Sequence, residues 1–453
     1  MTHLTERPLS LIENFQTLRQ VLASYGPEKL QAVRDRAMRR FEEAGLPTSK
    51  DEEFKYISLR ALEEGRFGPS YGATIDRRQL EATSVGKVDA ITVSFINGEY
   101  APELSTAHAL PNGVFVGSLA DGLVTHEEQV LAHLGRIATL DGKLGSTNDE
   151  RFVDLNTAFL GEGAFVYIGK GVEIERAIHL VFLNKADHGP FVSHPRILIV
   201  LEEGAHAKVL ESYLGLDGVY FTNAVTEVAI GANAGLEHTK FQDETRDSVH
   251  IANLSIVQEQ GSVYTSNNVN FGSKIGRNDL NVFLNGEHTE TWLNGANVAT
   301  GDQVIDNHTR IDHAKANCNS FEVYKSILGG KSTGIFNGKI FVYEDAQKTD
   351  AKQTNQGILL SPTATFDTKP QLEIFADDVK CTHGATVGQL REDALFYLRA
   401  RGIPRLQAQA LLVYAFAAEV LEKITVADLR EALETVLFDR LNEVEDLPEG
   451  RES

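Results

Sequence analysis

The sequence predicts a mainly-β protein with a parallel β-helix (solenoid) core and α-helical regions at both ends. Three observations carry this reading. Apolar residues recur at helical spacing before about residue 88 and after Leu390, and alternate between those points. Small-residue corners return along the alternating part at roughly 25 to 33 residues, a solenoid spacing. No helical pattern separates the alternating runs, which disfavours a βαβ fold.

The N-terminal helical region spans residues 1–87. Leu9, Leu11, Ile12, Phe15, Leu18, Val21 and Leu22 share one face, and Leu30, Val33, Ala37 and Phe41 continue after Gly26-Pro27. Gly45-Leu46-Pro47 stops the second helix, and Glu52 to Tyr56 opens a short helical segment. The β core spans residues 88–383. Its runs include Ala90 to Ile96, Arg196 to Leu201 and Lys339 to Val342; its corners include Gly169-Lys170-Gly171, Glu203-Gly204-Ala205, Ala234-Gly235-Leu236 and Gln260-Gly261-Ser262. A sandwich or barrel also fits short strands, but so long a stretch would need several such units and a linker, and none is visible. The C-terminal helical region spans residues 384–453. Leu395, Leu398, Ile403, Leu406, Leu411, Val413 and Phe416 line apolar faces, Val426 to Leu441 forms a last helix, and an acidic tail from Glu443 is expected to be mobile.

The chain has 453 residues and a formal charge of −21, which argues against nucleic acid and an anionic membrane surface. No apolar run is long enough to cross a bilayer, and the start, Met1 to Arg7, has no secretory pattern. A cytoplasmic location is expected. Its two cysteines, Cys318 and Cys381, suit a reducing compartment and are too few for an all-cysteine metal site, which takes four.

Cys381-Thr382-His383 is the leading candidate site. On a strand, residues two apart share a face, so a thiol and an imidazole would stand together as ligands for a soft or borderline metal. From spacing alone, a buried Cys beside a hydrogen-bonded His at a strand end is the commoner explanation. His308-Thr309-Arg310-Ile311-Asp312-His313, with Cys318, has ligand types but no metal-site spacing, and alternating strand residues account for it. Gly329-Gly330-Lys331-Ser332 resembles the tail of a phosphate loop, yet Lys325 stands where its first glycine belongs, so a β-turn is expected. Ala346 to Gln356 is an amide-rich run that suits a hydrogen-bonded ladder, a protein contact or a solvated face. Tyr397, Arg401 and Gly402 close a helix, where an Arg serves the dipole or anchors an interface.

The phrases from His308 through Phe416 resemble the SufB/SufD family of iron–sulfur cluster assembly proteins. They include Tyr324-Lys325-Ser326-Ile327-Leu328, Ala346-Gln347-Lys348-Thr349-Asp350-Ala351, Pro370-Gln371-Leu372-Glu373-Ile374, Asp377-Asp378-Val379-Lys380-Cys381 and His383-Gly384-Ala385-Thr386-Val387-Gly388. The resemblance implies a right-handed parallel β-helix in a complex of SufB, SufD and two copies of the ATPase SufC. It implies that SufC docks on the C-terminal helices, favouring Tyr397, Arg401 and Gly402, and that SufB and SufD pair through the ends of their β-helices. There His383 would help hold iron or a nascent cluster, with Cys381 as a second ligand and SufB supplying the rest. No cofactor is then expected to stay on the isolated chain, where iron or a cluster is transient cargo. Gly384 in place of a glutamate, and Gln356 in place of a cysteine, are similar to the SufD side of the family. A non-enzymatic subunit is the resulting expectation. The alternatives are a β-helix polysaccharide lyase or hydrolase and a self-sufficient SufB-like scaffold; a homodimer through the solenoid end is also open.

Overall fold

The computed structural model describes residues 9–70, 72–108, 110–139 and 149–442. Residues 163–388 wind into a parallel β-solenoid of about eight coils. Each coil gives one strand to each of two sheets, and within the coils each strand pairs in parallel with the equivalent strand of the next coil. Side chains alternate inward and outward, and register holds from coil to coil, so equivalent positions stack in columns about 4.8 Å apart. The corners explain the recurring small residues: Gly204 and Gly261 sit at φ 68°, where a Cβ is disfavoured.

The near end of the solenoid is covered. Ile91–Ile96 pairs in parallel with Ile178–Lys185, and Val114–Ser118 pairs antiparallel with Gly163–Ile168. Three helices, Leu119–Thr125, Glu127–His133 and Arg151–Ala158, lie in the stretch expected to be wholly β. Leu119, Leu123 and Val130 pack on Phe165, Leu198 and Val200, so these helices shield strands that would otherwise face water. The solenoid interior starts apolar, with Phe95, Phe182 and Tyr213 stacked at 4.8 and 4.9 Å. It turns polar further along: Asn270, Asn297 and Ser326, at one register position on successive coils, are linked by hydrogen bonds of 2.8 and 3.2 Å.

Helical layers cover both outer faces. Leu9–Leu22 and Lys29–Ala44 bury Leu11, Phe15 and Phe41 in a cluster with Phe221, Val249 and Ile275. The turn Glu52–Phe54 braces this region along the sheet: Glu53 accepts from His308 (3.0 Å) and Asn337 (3.1 Å), Glu52 pairs with Lys369 (2.7 Å), and the Arg277 guanidinium lies 3.9 Å over Phe54. The other sheet carries Arg405–Leu421 and Ala427–Asn442, pinned by Glu419 on Lys325 and by Glu237 on Thr425. Leu406 and Leu411, assigned above to apolar faces, are 60% and 48% exposed because that side of their helix turns away from the sheet. The last strand, Lys380–Gly388, runs past residue 383, and only three residues join it to helix Glu392–Arg399. Residues 1–8 and the acidic tail from 443 fall outside the described residues.

Candidate functional site

The far end of the solenoid is open. Strands Thr365–Ile374 and Lys380–Gly388 form the last coil, and among the described residues each pairs on one side only. Their other backbone edge is available for a further strand. With no coil beyond, inward side chains that would be buried elsewhere meet solvent here. Ile374 is 38% exposed and Val387 42%.

Cys381 and His383 both belong to this last coil. They stand in register with Ala351 and Gln353, which are buried, so both point to the inner face; their spacing required only that they share one. Cys381 is half-buried against a small cluster of Ile340, Val342, Ala346 and Ala351. Burial pushes its thiol up, and the Asp350 carboxylate adds to this, so any metal bound as thiolate must displace a proton. His383 is exposed. The pair thus offers one sulfur and one nitrogen donor on a single face, open to a second molecule. Asp377 and Asp378 lie in the corner before the strand, where Lys348 N–H donates to the Asp378 carbonyl (2.6 Å). Gly384 faces the opposite way, with nothing within 4 Å of an added Cβ, so a carboxylate there would fit without sharing the face of His383.

One coil inside the pair, Gln353 is 1% exposed and donates from Nε2 to Glu322 Oε2 at 2.7 Å. Glu322, one coil deeper, is pushed up to about 7 by burial. Half of the amide-rich run therefore lines the interior and is not a solvated face. Sequence reasoning missed this pair because amides and acids read as outward-facing; the only available signal was their inward phase.

The other candidates separate. His308 and His313 lie on opposite faces of strand Val304–His313. Burial and Arg277 would lower His308, yet Asp306 and Glu53 hold it protonated to about 9, making it part of the brace. His313 is inside, bonded to Ser320 Oγ at 2.9 Å and lowered to about 3 by burial. Cys318 is buried and donates to the Gly286 carbonyl. Gly329-Gly330-Lys331-Ser332 turns a solenoid corner, with Ser332 Oγ on the Ala299 carbonyl. Among the described residues no group of three or more His, Cys, Asp or Glu side chains converges as a metal site.

The C-terminal helices present a second surface. Tyr397 is 57% exposed, with the Arg401 guanidinium stacked 3.5 Å over its ring, and Gly402 follows in the turn. Phe396 beside them is 73% exposed and was not singled out from sequence.

A family model described as "SUF system FeS cluster assembly, SufBD core domain" matches residues 182–416, and one described as "SufBD protein N-terminal region" matches residues 6–180. The chain belongs to the SufBD family of iron–sulfur cluster assembly proteins. It is 34% identical over 397 residues to a SufBD family protein of Synechocystis, covering 86% of each chain. It is 32% identical over 400 residues to the iron–sulfur cluster assembly protein SufD of Escherichia coli, covering 88% of this chain and 90% of that one. SufD of Bacillus subtilis is 26% identical over 302 residues. In this SufBD protein, the phrases from His308 to Gly388 lie on the last coils, which carry the open end, and those beyond lie on the C-terminal helices.

Proposed function

We propose that the chain is a non-catalytic, SufD-like subunit of a cytoplasmic SufB–SufC–SufD assembly, supplying half of the site at which iron is taken up and a cluster first forms. The observation that carries this reading is the open last coil, which presents Cys381 and His383 beside an unpaired strand edge. Two donors fall short of the four that a tetrahedral iron or cluster needs, so the remainder come from a SufB-type partner adding its own end coil. The isolated chain then keeps no resident cofactor, and iron or cluster is cargo of the complex. The exposed Phe396–Tyr397 patch, with Arg401 and Gly402, is the surface for the SufC ATPase; aromatic and Arg groups are the usual interface anchors. Without a partner, the same edge can join two copies of this chain. The acidic charge argues against nucleic acid and an anionic membrane surface as partners. Among the described residues no helix is long and apolar enough to cross a membrane.

The test is His383→Ala in the complex reconstituted with SufB- and SufC-type proteins under anaerobic conditions. The variant should fold and assemble normally while iron loading and cluster yield fall. An unchanged yield would sink the role given to this end of the solenoid.

A further inference from the structure

Three inward positions on successive coils line up in register: Glu322, then Gln353, then His383. Directly opposed neighbours on adjacent strands place their Cβ atoms about 5 Å apart, within reach of a Gln amide and an imidazole. The Gln353 amide is fixed at one end, with Nε2 committed to Glu322 Oε2 at 2.7 Å. Its Oε1 is buried and has no hydrogen-bond partner. An unpaired buried acceptor is costly. The amide's place is also kept by Gly338 on the facing sheet, where an added Cβ would lie 2.2 Å from Gln353 Nε2. The structure therefore holds an anchored, unfilled acceptor immediately behind the exposed imidazole.

We propose that Gln353 is a positioning residue for His383, its Oε1 accepting the ring N–H so that the other ring nitrogen is presented outward as the donor. This rests on the half-site reading above and deepens it: a histidine ligand needs its second nitrogen held to fix tautomer and ring direction, and here a neutral amide, not a carboxylate, does so. Glu322 acts one step further back by holding the amide. A neutral acceptor leaves the imidazole without an added negative charge behind it, which suits a site that must also release its metal.

The experiment reads the tautomer of His383 in the full chain by long-range 1H–15N NMR on histidine-labelled protein, with His383→Ala identifying the signal. No metal is needed. Wild type should show one dominant tautomer. Gln353→Met, which fills the same space without an acceptor, should give a mixture, and Gln353→Glu, which restores an acceptor oxygen, should return a single form. In the reconstituted complex, Gln353→Met should bind ferrous iron ten- to a hundredfold more weakly than wild type. Identical tautomer populations in wild type and Gln353→Met would overturn the proposal. Should Gln353→Met fail to fold, a tautomer mixture in wild type overturns it equally. If instead His383→Ala leaves iron binding unchanged, the half-site reading is what fails, while the tautomer data still decide whether Gln353 holds the ring.

Discussion

Replacing Glu322 with Gln should stabilise the protein at alkaline pH and do much less in acid. The folded chain keeps the Glu322 proton up to about pH 7, because burial disfavours the carboxylate. The unfolded chain releases it near the ordinary glutamate value of about 4.3. The stability tied to this raised group is therefore complete below about pH 4 and lost as pH rises through 7. At 1.36 kcal/mol per pH unit, the full loss is roughly 4 kcal/mol, and about 2 to 3 kcal/mol of it falls between pH 5 and 8.5. Gln has the same shape, still offers a carbonyl to Gln353, and has no proton to lose. Urea unfolding of both proteins at several pH values, followed by Trp292 fluorescence and far-UV circular dichroism, measures the gap between them. It should widen steadily with pH in favour of the variant. Parallel pH curves would refute the assignment of a protonated acid behind the site.

The brace at the N-terminal region titrates as well. His308 is held protonated to about 9, above its unfolded value, so its contribution is full below about pH 6.5 and is lost as pH rises through 9. Tryptic cleavage at Lys50 and Lys55 should be slow at pH 7.5 and fast by pH 10, and Glu53→Gln should be cut readily already at pH 7.5. Gly295 sits opposite Tyr324, whose ring lies 2.2 Å from where a Cβ would be. Gly295→Ala should cost about 1 to 3 kcal/mol by thermal or urea unfolding, with no compensating gain at any pH.

Local pattern carried the coil architecture because alternation and corner glycines are properties of a few adjacent residues. It also placed Cys381 and His383 on one face, since phase on a strand is fixed by counting. Whether that face was inner or outer could not be read, because polar residues occupy both sides of these coils: Gln353 and Asn355 are buried while the adjacent Lys352 is exposed. The hydrophobic-inside rule fails where inward amides satisfy one another along the column, as Asn270 and Asn297 do. The contact of Glu53 with His308 crosses 255 positions of sequence and leaves no local trace. The helices at Leu119–Thr125 and Arg151–Ala158 were missed because their apolar spacing is short and blends into neighbouring strands.

The three-residue connection between Gly388 and Glu392 has a mechanical consequence. Four Cα steps reach at most about 14 Å, so the helix bearing Tyr397 cannot move far without dragging the strand bearing Cys381 and His383. That strand is hydrogen-bonded on one side only, and in a stack of coils the terminal layer is held by a single neighbour. A pull on the helix is thus felt by this least-supported layer, as well as by helix Arg405–Leu421, which rests on the inner coils through Lys325. The short connection therefore ties the surface around Tyr397 mechanically to the strand that carries Cys381 and His383.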